Sequence, residues 1–209
     1  MGAIIEGVGV VVYLYLVWRN LRGNYVSDGL VGYGWWSAMA WLVGGRLGWG
    51  LANWGETGGN WWIWLEFWKY PGMNYMVAYL CWFLVTWWWV GRVDWKMWSF
   101  LEDTLVAVLI LGAFGVVGFA SRLGWSWNEV IYLSIIVVGG VLGMWLKVRY
   151  RSFFWYKSGK KGFVFLASNL VIFLMLGIYW LVAGKIVFGG GAVILSLISG
   201  GGLVMLGKA

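Results

Sequence analysis

The stretch Leu105–Ala120 reads LVAVLILGAFGVVGFA and carries no charge. Its apolar residues follow one another; they do not alternate with polar ones. A membrane strand would alternate, with one side chain toward lipid and the next toward the lumen. In hydrocarbon every backbone N–H and C=O needs an internal partner, so only helices or closed barrels span it. A continuous apolar run therefore reads as a helix, and about 20 such residues cross the ~30 Å core. The same pattern recurs along the chain and predicts seven spans, at about residues 3–18, 29–54, 72–90, 101–120, 129–146, 162–183 and 186–206. The expected fold is an all-α integral membrane protein, a seven-transmembrane-helix bundle forming one domain over residues 1–209. Between the second and third spans lies a polar and aromatic stretch, Gly55 to Tyr70. It is followed by Pro71, which suits the first turn of the next helix because its missing N–H has no partner there anyway.

Composition points the same way. Of 209 residues, 62% are hydrophobic and only 11% charged, so lipid must cover part of the surface. The 34 glycines suit helices that approach closely, since hydrocarbon supplies no hydrophobic drive and small residues let backbones touch. Many of the 21 tryptophans, among them Trp35, Trp36, Trp61, Trp62, Trp87, Trp88 and Trp89, fall near predicted span ends. There an indole keeps its ring in lipid and its N–H among headgroups.

The formal charge of +7 would suggest nucleic acid in a water-soluble chain. Here the cations sit between spans, so they read as topology signals that attract anionic lipid, and no nucleic-acid partner is expected. Arg19, Arg22, Arg92, Lys96, Lys147, Arg149, Arg151, Lys157, Lys160, Lys161 and Lys208 fall on one side, 11 of the 15. Lys69, Arg122 and Lys185 fall on the other, with Arg46 inside a span. The bias places the N-terminus outside and the C-terminus in the cytoplasm. No cationic region precedes the first apolar run, which reads as a retained helix and not a cleaved signal.

Absences restrict the chemistry. There is no histidine, hence no histidine-based metal site, haem ligand or Ser–His–Asp triad. The single cysteine, Cys81, lies in an apolar run and builds neither a disulfide nor a thiolate metal site. No cofactor and no metal are expected.

Four residues stand out. Arg46 lies in Gly44-Gly45-Arg46-Leu47-Gly48-Trp49. An arginine in hydrocarbon costs on the order of 3 kcal/mol, so it should face the bundle interior or water. Its glycines would admit a headgroup or a neighbouring helix. Two readings stand: a lipid-phosphate anchor, or an arginine that snorkels or pairs with Glu56 or Glu66. Arg122, Asn128 and Glu129 lie in Ser121-Arg122-Leu123-Gly124-Trp125-Ser126-Trp127-Asn128-Glu129, read as the outer loop before the fifth span. The planar guanidinium fork matches phosphate, so Arg46 and Arg122 together suit one anionic headgroup. The plainer reading is an interfacial loop with Asn128 as N-cap and Glu129 in the first helical turn. Glu102 and Asp103 read as carboxylates opening the fourth span. The basic run Lys147–Lys161 reads as a topology anchor.

In order, these pieces resemble the prolipoprotein diacylglyceryl transferases of bacterial inner membranes. Gly44-Gly45-Arg46-Leu47-Gly48-Trp49, with Asp28 before it, is similar to the family's Gly-Ala-Arg-Leu-Gly-Tyr segment. Pro71-Gly72-Met73-Asn74-Tyr75 resembles its Gly-Gly-Met-Ser-Phe stretch, and Asp103 its helix-opening Asp. Ser121-Arg122-Leu123-Gly124-Trp125 through Asn128-Glu129 resembles its Gly-Arg-Ile-Gly-Asn signature, and Lys160-Lys161-Gly162-Phe163 its Lys-Pro-Gly segment. The chain departs from the family at Tyr75-Met76-Val77-Ala78, where the family's histidine is missing. It departs again at Trp125, which replaces an Asn, and at Asn169–Leu176, which lacks the late Arg and Glu.

The resemblance implies transfer of diacylglyceryl from phosphatidylglycerol to a lipoprotein-precursor cysteine, in a bacterial inner membrane. Arg46 and Arg122 would bind the phosphate, Asn128 would orient it, and Glu129 would take the thiol proton, with Glu66 as the other candidate base. The alternative is a non-catalytic relative that binds anionic phospholipid and serves as a membrane subunit or scaffold. The expected partners are membrane lipids, with a lipoprotein-precursor peptide or other membrane subunits.

Overall fold

The computed structural model describes residues 1–25, 27–55, 62–66, 72–150 and 160–208. Glu56, Trp61, Lys69, Pro71, Arg151 and Lys157 lie outside the described residues, as does the side chain of Asp28. Among the described residues all regular structure is helical: α1 (Gly2–Leu21), α2 (Ser27–Ala52), the single turn α3 (Trp62–Leu65), α4 (Tyr75–Arg92), α5 (Met97–Leu123), α6 (Trp127–Arg149), α7 (Phe163–Val182) and α8 (Ile186–Lys208).

Five of these, α1, α5, α6, α7 and α8, are long and apolar enough to cross a membrane. Helices α2 and α4 have 26 and 18 residues, but their many Trp, Tyr and Gly residues make them less apolar. The spanning windows of α1, α6 and α8 are only 22% buried. Val137, Val141 and Met144 on α6 and Ile194, Leu197 and Ile198 on α8 are exposed. Apolar faces of this extent require an apolar solvent. The chain is a multi-pass membrane protein, all-helical among the described residues.

The structure forms two compact units, residues 1–97 with 117–124, and residues 98–116 with 125–209. In the first, α1 and α2 run antiparallel, with the Tyr13 and Ser37 hydroxyls 2.6 Å apart. Trp82 Nε1 on α4 donates to the same Tyr13 oxygen at 3.1 Å, and Tyr33 and Thr86 are joined at 2.9 Å. All five side chains are fully buried. Polar atoms in a bundle interior lose water and so bond each other, which locks three helices in one register. Glycines set the α2–α4 spacing. A Cβ added at Gly44 or Gly48 would lie 2.5 Å from the Cβ of Cys81 or Val77.

Helix α4 begins at Tyr75, three residues later than Pro71 suggested. Asn74 holds extended angles as N-cap and accepts from the Val77 N–H at 3.2 Å.

In the second unit α7 and α8 pack at Gly177 and Gly189, where a Cβ would meet Val193 and Leu181 at 2.8 and 2.7 Å. Helix α6 meets α7 at Gly139 against Ile172 and at Gly143 against Ser168. Helix α5 starts at Met97, so Glu102 and Asp103 lie beyond its first turn and do not open it. Glu102 instead accepts from the Gly162 N–H at 2.5 Å, at the start of α7. A carboxylate suits that position, where unpaired N–H groups concentrate positive charge. Asp103 pairs with Lys147 at 3.0 Å, and Lys161 donates to Ser99 at 2.9 Å.

Candidate functional site

Arg46 is 3% exposed, in the last third of α2. Its two terminal nitrogens donate to the carbonyls of Gly72 at 3.1 Å and Ile63 at 2.9 Å, and its plane lies 4.3 Å from the Trp49 ring centre. One positive side chain thus gathers the start of α4 and the α3 turn onto α2. Close by, the Asn74 N–H donates to the Gly45 carbonyl at 2.8 Å. The glycines around Arg46 are filled by Cys81, Ala78 and Val77 of α4, so the neighbouring helix takes the space that a headgroup would need. The bonds named here run to backbone carbonyls, groups that no side-chain pattern in the sequence marks.

Arg122 is not in a loop. Ser121–Leu123 form the last turn of α5, Trp127 opens α6, and Gly124–Ser126 alone connect them. Gly124 takes φ 92°, a conformation that favours glycine. The Arg122 guanidinium forms an ion pair with Glu6 of α1, and both side chains are mostly buried. Gly2 and Gly118 let the two helices approach at this point.

Arg46 and Arg122 belong to the same unit and the same end of it. Helix α1 runs antiparallel to α2, with Tyr13 beside Ser37, and this register sets Arg46 level with the first turn of α1, near Glu6. Each arginine has its own partners.

Asn128 and Glu129 belong to the other unit. The N-cap of α6 is Ser126, not Asn128. Ser126 holds extended angles and accepts from the Asn128 N–H at 3.2 Å, while Glu129 accepts from the Ser126 N–H at 3.0 Å. Ser followed three residues later by Glu is a capping box, readable in the sequence. Asn128 Oδ1 accepts from the Tyr179 hydroxyl, and Trp180 Nε1 donates to Tyr132 at 2.7 Å. The Trp125 side chain is exposed.

The chain matches no protein-family model, and comparison with curated proteins and with solved structures returns no match. The functional reading therefore rests on the residues themselves.

Proposed function

We propose that this chain is a non-catalytic relative of the prolipoprotein diacylglyceryl transferases, a lipid-binding membrane subunit or scaffold. In this reading all seven long helices cross a bacterial inner membrane, with the N-terminus outside and the C-terminus in the cytoplasm. α2 and α4 cross as well, with Tyr33 and Trp82 bonded inward and Trp35, Trp36, Trp87 and Trp88 exposed. The observation that carries the reading is the Arg46 guanidinium, buried against the Gly72 and Ile63 carbonyls and packed on Trp49. Moving a phosphate there would break two bonds that hold the bundle together. Arg122 in its pair with Glu6, and Glu129 in its capping box, support the same view.

The second reading is an active transferase, with Arg46 and Arg122 as phosphate ligands. Their common level at one end of one unit favours it. One assay separates the two. Purified protein is incubated with phosphatidylglycerol and a lipobox peptide, and glycerol phosphate release is measured. No release is expected. Release that disappears in Arg122→Ala overturns the non-catalytic reading and establishes the transferase.

A further inference from the structure

We propose that this chain fits a thin bilayer. Its lipid-facing band is bounded by two levels of exposed tryptophan and matches a hydrocarbon core of roughly 27 Å or less. The inference deepens the membrane reading above by naming the thickness of the lipid partner. It rests on the crossing of α2 proposed there and not on the absence of catalysis, and α6 carries it independently.

On α6, Trp127 and Trp145 are both exposed, with Val137, Val141 and Met144 exposed between them. Eighteen residues separate the two indoles, roughly 27 Å at the helical rise. On α2, Trp36 is exposed, and so is Trp54 just past the helix end, again eighteen residues away. Met39, Val43 and Leu47 are exposed between them. The charge within that interval, Arg46, is buried and bonded to carbonyls. The tryptophans at mid-helix, Trp41 of α2 and Trp82 of α4, are buried. Exposure of an indole thus follows its level along the helix.

Neighbouring elements mark the same levels. The Tyr33–Thr86 bond and the approach of Gly32 to the Trp89 ring set Trp87 and Trp88 level with Trp35 and Trp36, and all four are exposed. Arg92 follows Trp88 by four residues, Arg19 follows Trp18 by one and Lys147 follows Trp145 by two. A cation just past an indole belongs among the headgroups, with the ring at the acyl boundary. On α5, eighteen uncharged residues lie between Asp103 and Arg122. Asp103 pairs with Lys147 at 3.0 Å, just past the level of Trp145. Trp98, also exposed, precedes both carboxylates of α5 and lies outside the band.

An indole prefers the headgroup boundary to the hydrocarbon, so the distance between two such levels is an upper bound on the core. Helical Cα–Cβ bonds all lean toward the N-terminus, so two indoles on one helix are displaced alike and keep their spacing. Any tilt thins the matching core further. Helices α7 and α8 have longer uncharged runs, but a long run can tilt while a short one cannot lengthen. The shorter spans therefore fix the thickness, below the ~30 Å of an average bilayer.

The test reconstitutes full-length protein into phosphatidylcholine vesicles, from dimyristoleoyl through dioleoyl to dierucoyl chains. Tryptophan quenching by a brominated dioleoyl lipid, competed by each unbrominated lipid, gives relative affinities. The optimum is expected at dioleoyl or shorter chains, with dierucoyl bound about threefold more weakly. Trp127→Leu with Trp145→Leu, and Trp36→Leu with Trp54→Leu, each widen the apolar band and are expected to move the optimum toward longer chains. An optimum at dierucoyl, equal affinity for all lengths, or an unmoved optimum in both variants overturns the proposal. A shift with the α6 pair alone upholds the thin band and rejects the crossing of α2. The four side chains are exposed, and unchanged thermal unfolding of each variant shows that the fold is kept.

Discussion

Glu6 and Arg122, 116 residues apart, form an ion pair between the first helix and the last turn of the fifth. Both side chains are mostly withdrawn from water, at 28% exposure for Glu6 and 20% for Arg122. Removing one partner leaves the other charge in a poor solvent. Arg122→Ala and Glu6→Ala should each cost about 1–3 kcal/mol in denaturant unfolding in micelles. The double variant should cost clearly less than the two added together. Additive losses would mean that the pair does not couple the helices.

Gly48 on α2 has no room for a side chain, because an added Cβ would sit 2.5 Å from the Val77 Cβ. A Cβ cannot swing aside as a side-chain tip can. Gly48→Val should lower stability by about 1–3 kcal/mol through overpacking. Val77→Gly in the Gly48→Ala background should recover part of that variant's loss. A thermal shift series on the four proteins checks both statements.

Ser126 and Glu129 cap α6 reciprocally. Ser126→Ala should cost about 1 kcal/mol, with Glu129→Ala costing less and the double variant adding little. Glu129→Ala should leave lipid binding by the purified protein unchanged. A loss of binding without loss of stability would assign Glu129 a role outside the cap.

Asp94 holds φ 52° just after α4, where the Trp95 N–H reaches back to the Val90 carbonyl at 3.1 Å. Glycine adopts that angle without steric cost, although it loses more freedom on folding. Relief of the left-handed strain should prevail, so Asp94→Gly should raise stability by about 0.5 kcal/mol and Asp94→Val should lower it by more. Unfolding midpoints of the two variants give the sign directly.

The sequence alone was sufficient for the helices. Charge-free runs such as Leu105–Ala120 and Phe163–Ala183 admit only one backbone arrangement in hydrocarbon, because a peptide group there must bond within its own segment. The seven long helices fall on the seven runs, with ends shifted by a few residues where a cap such as Asn74 or Ser126 decides the boundary. The Ser126–Glu129 box is local too, yet the sequence pointed to Asn128 as the cap, because Ser126 and Asn128 both suit that position and the backbone angles decide between them. The partners of Arg46 and Arg122 were not legible. Arg46 bonds carbonyls that every residue possesses, and Arg122 finds a carboxylate across more than a hundred residues. Local composition fixes a helix through bonds a few residues long. The partner of a buried charge depends on which helices pack together, and glycine contacts in three dimensions set that.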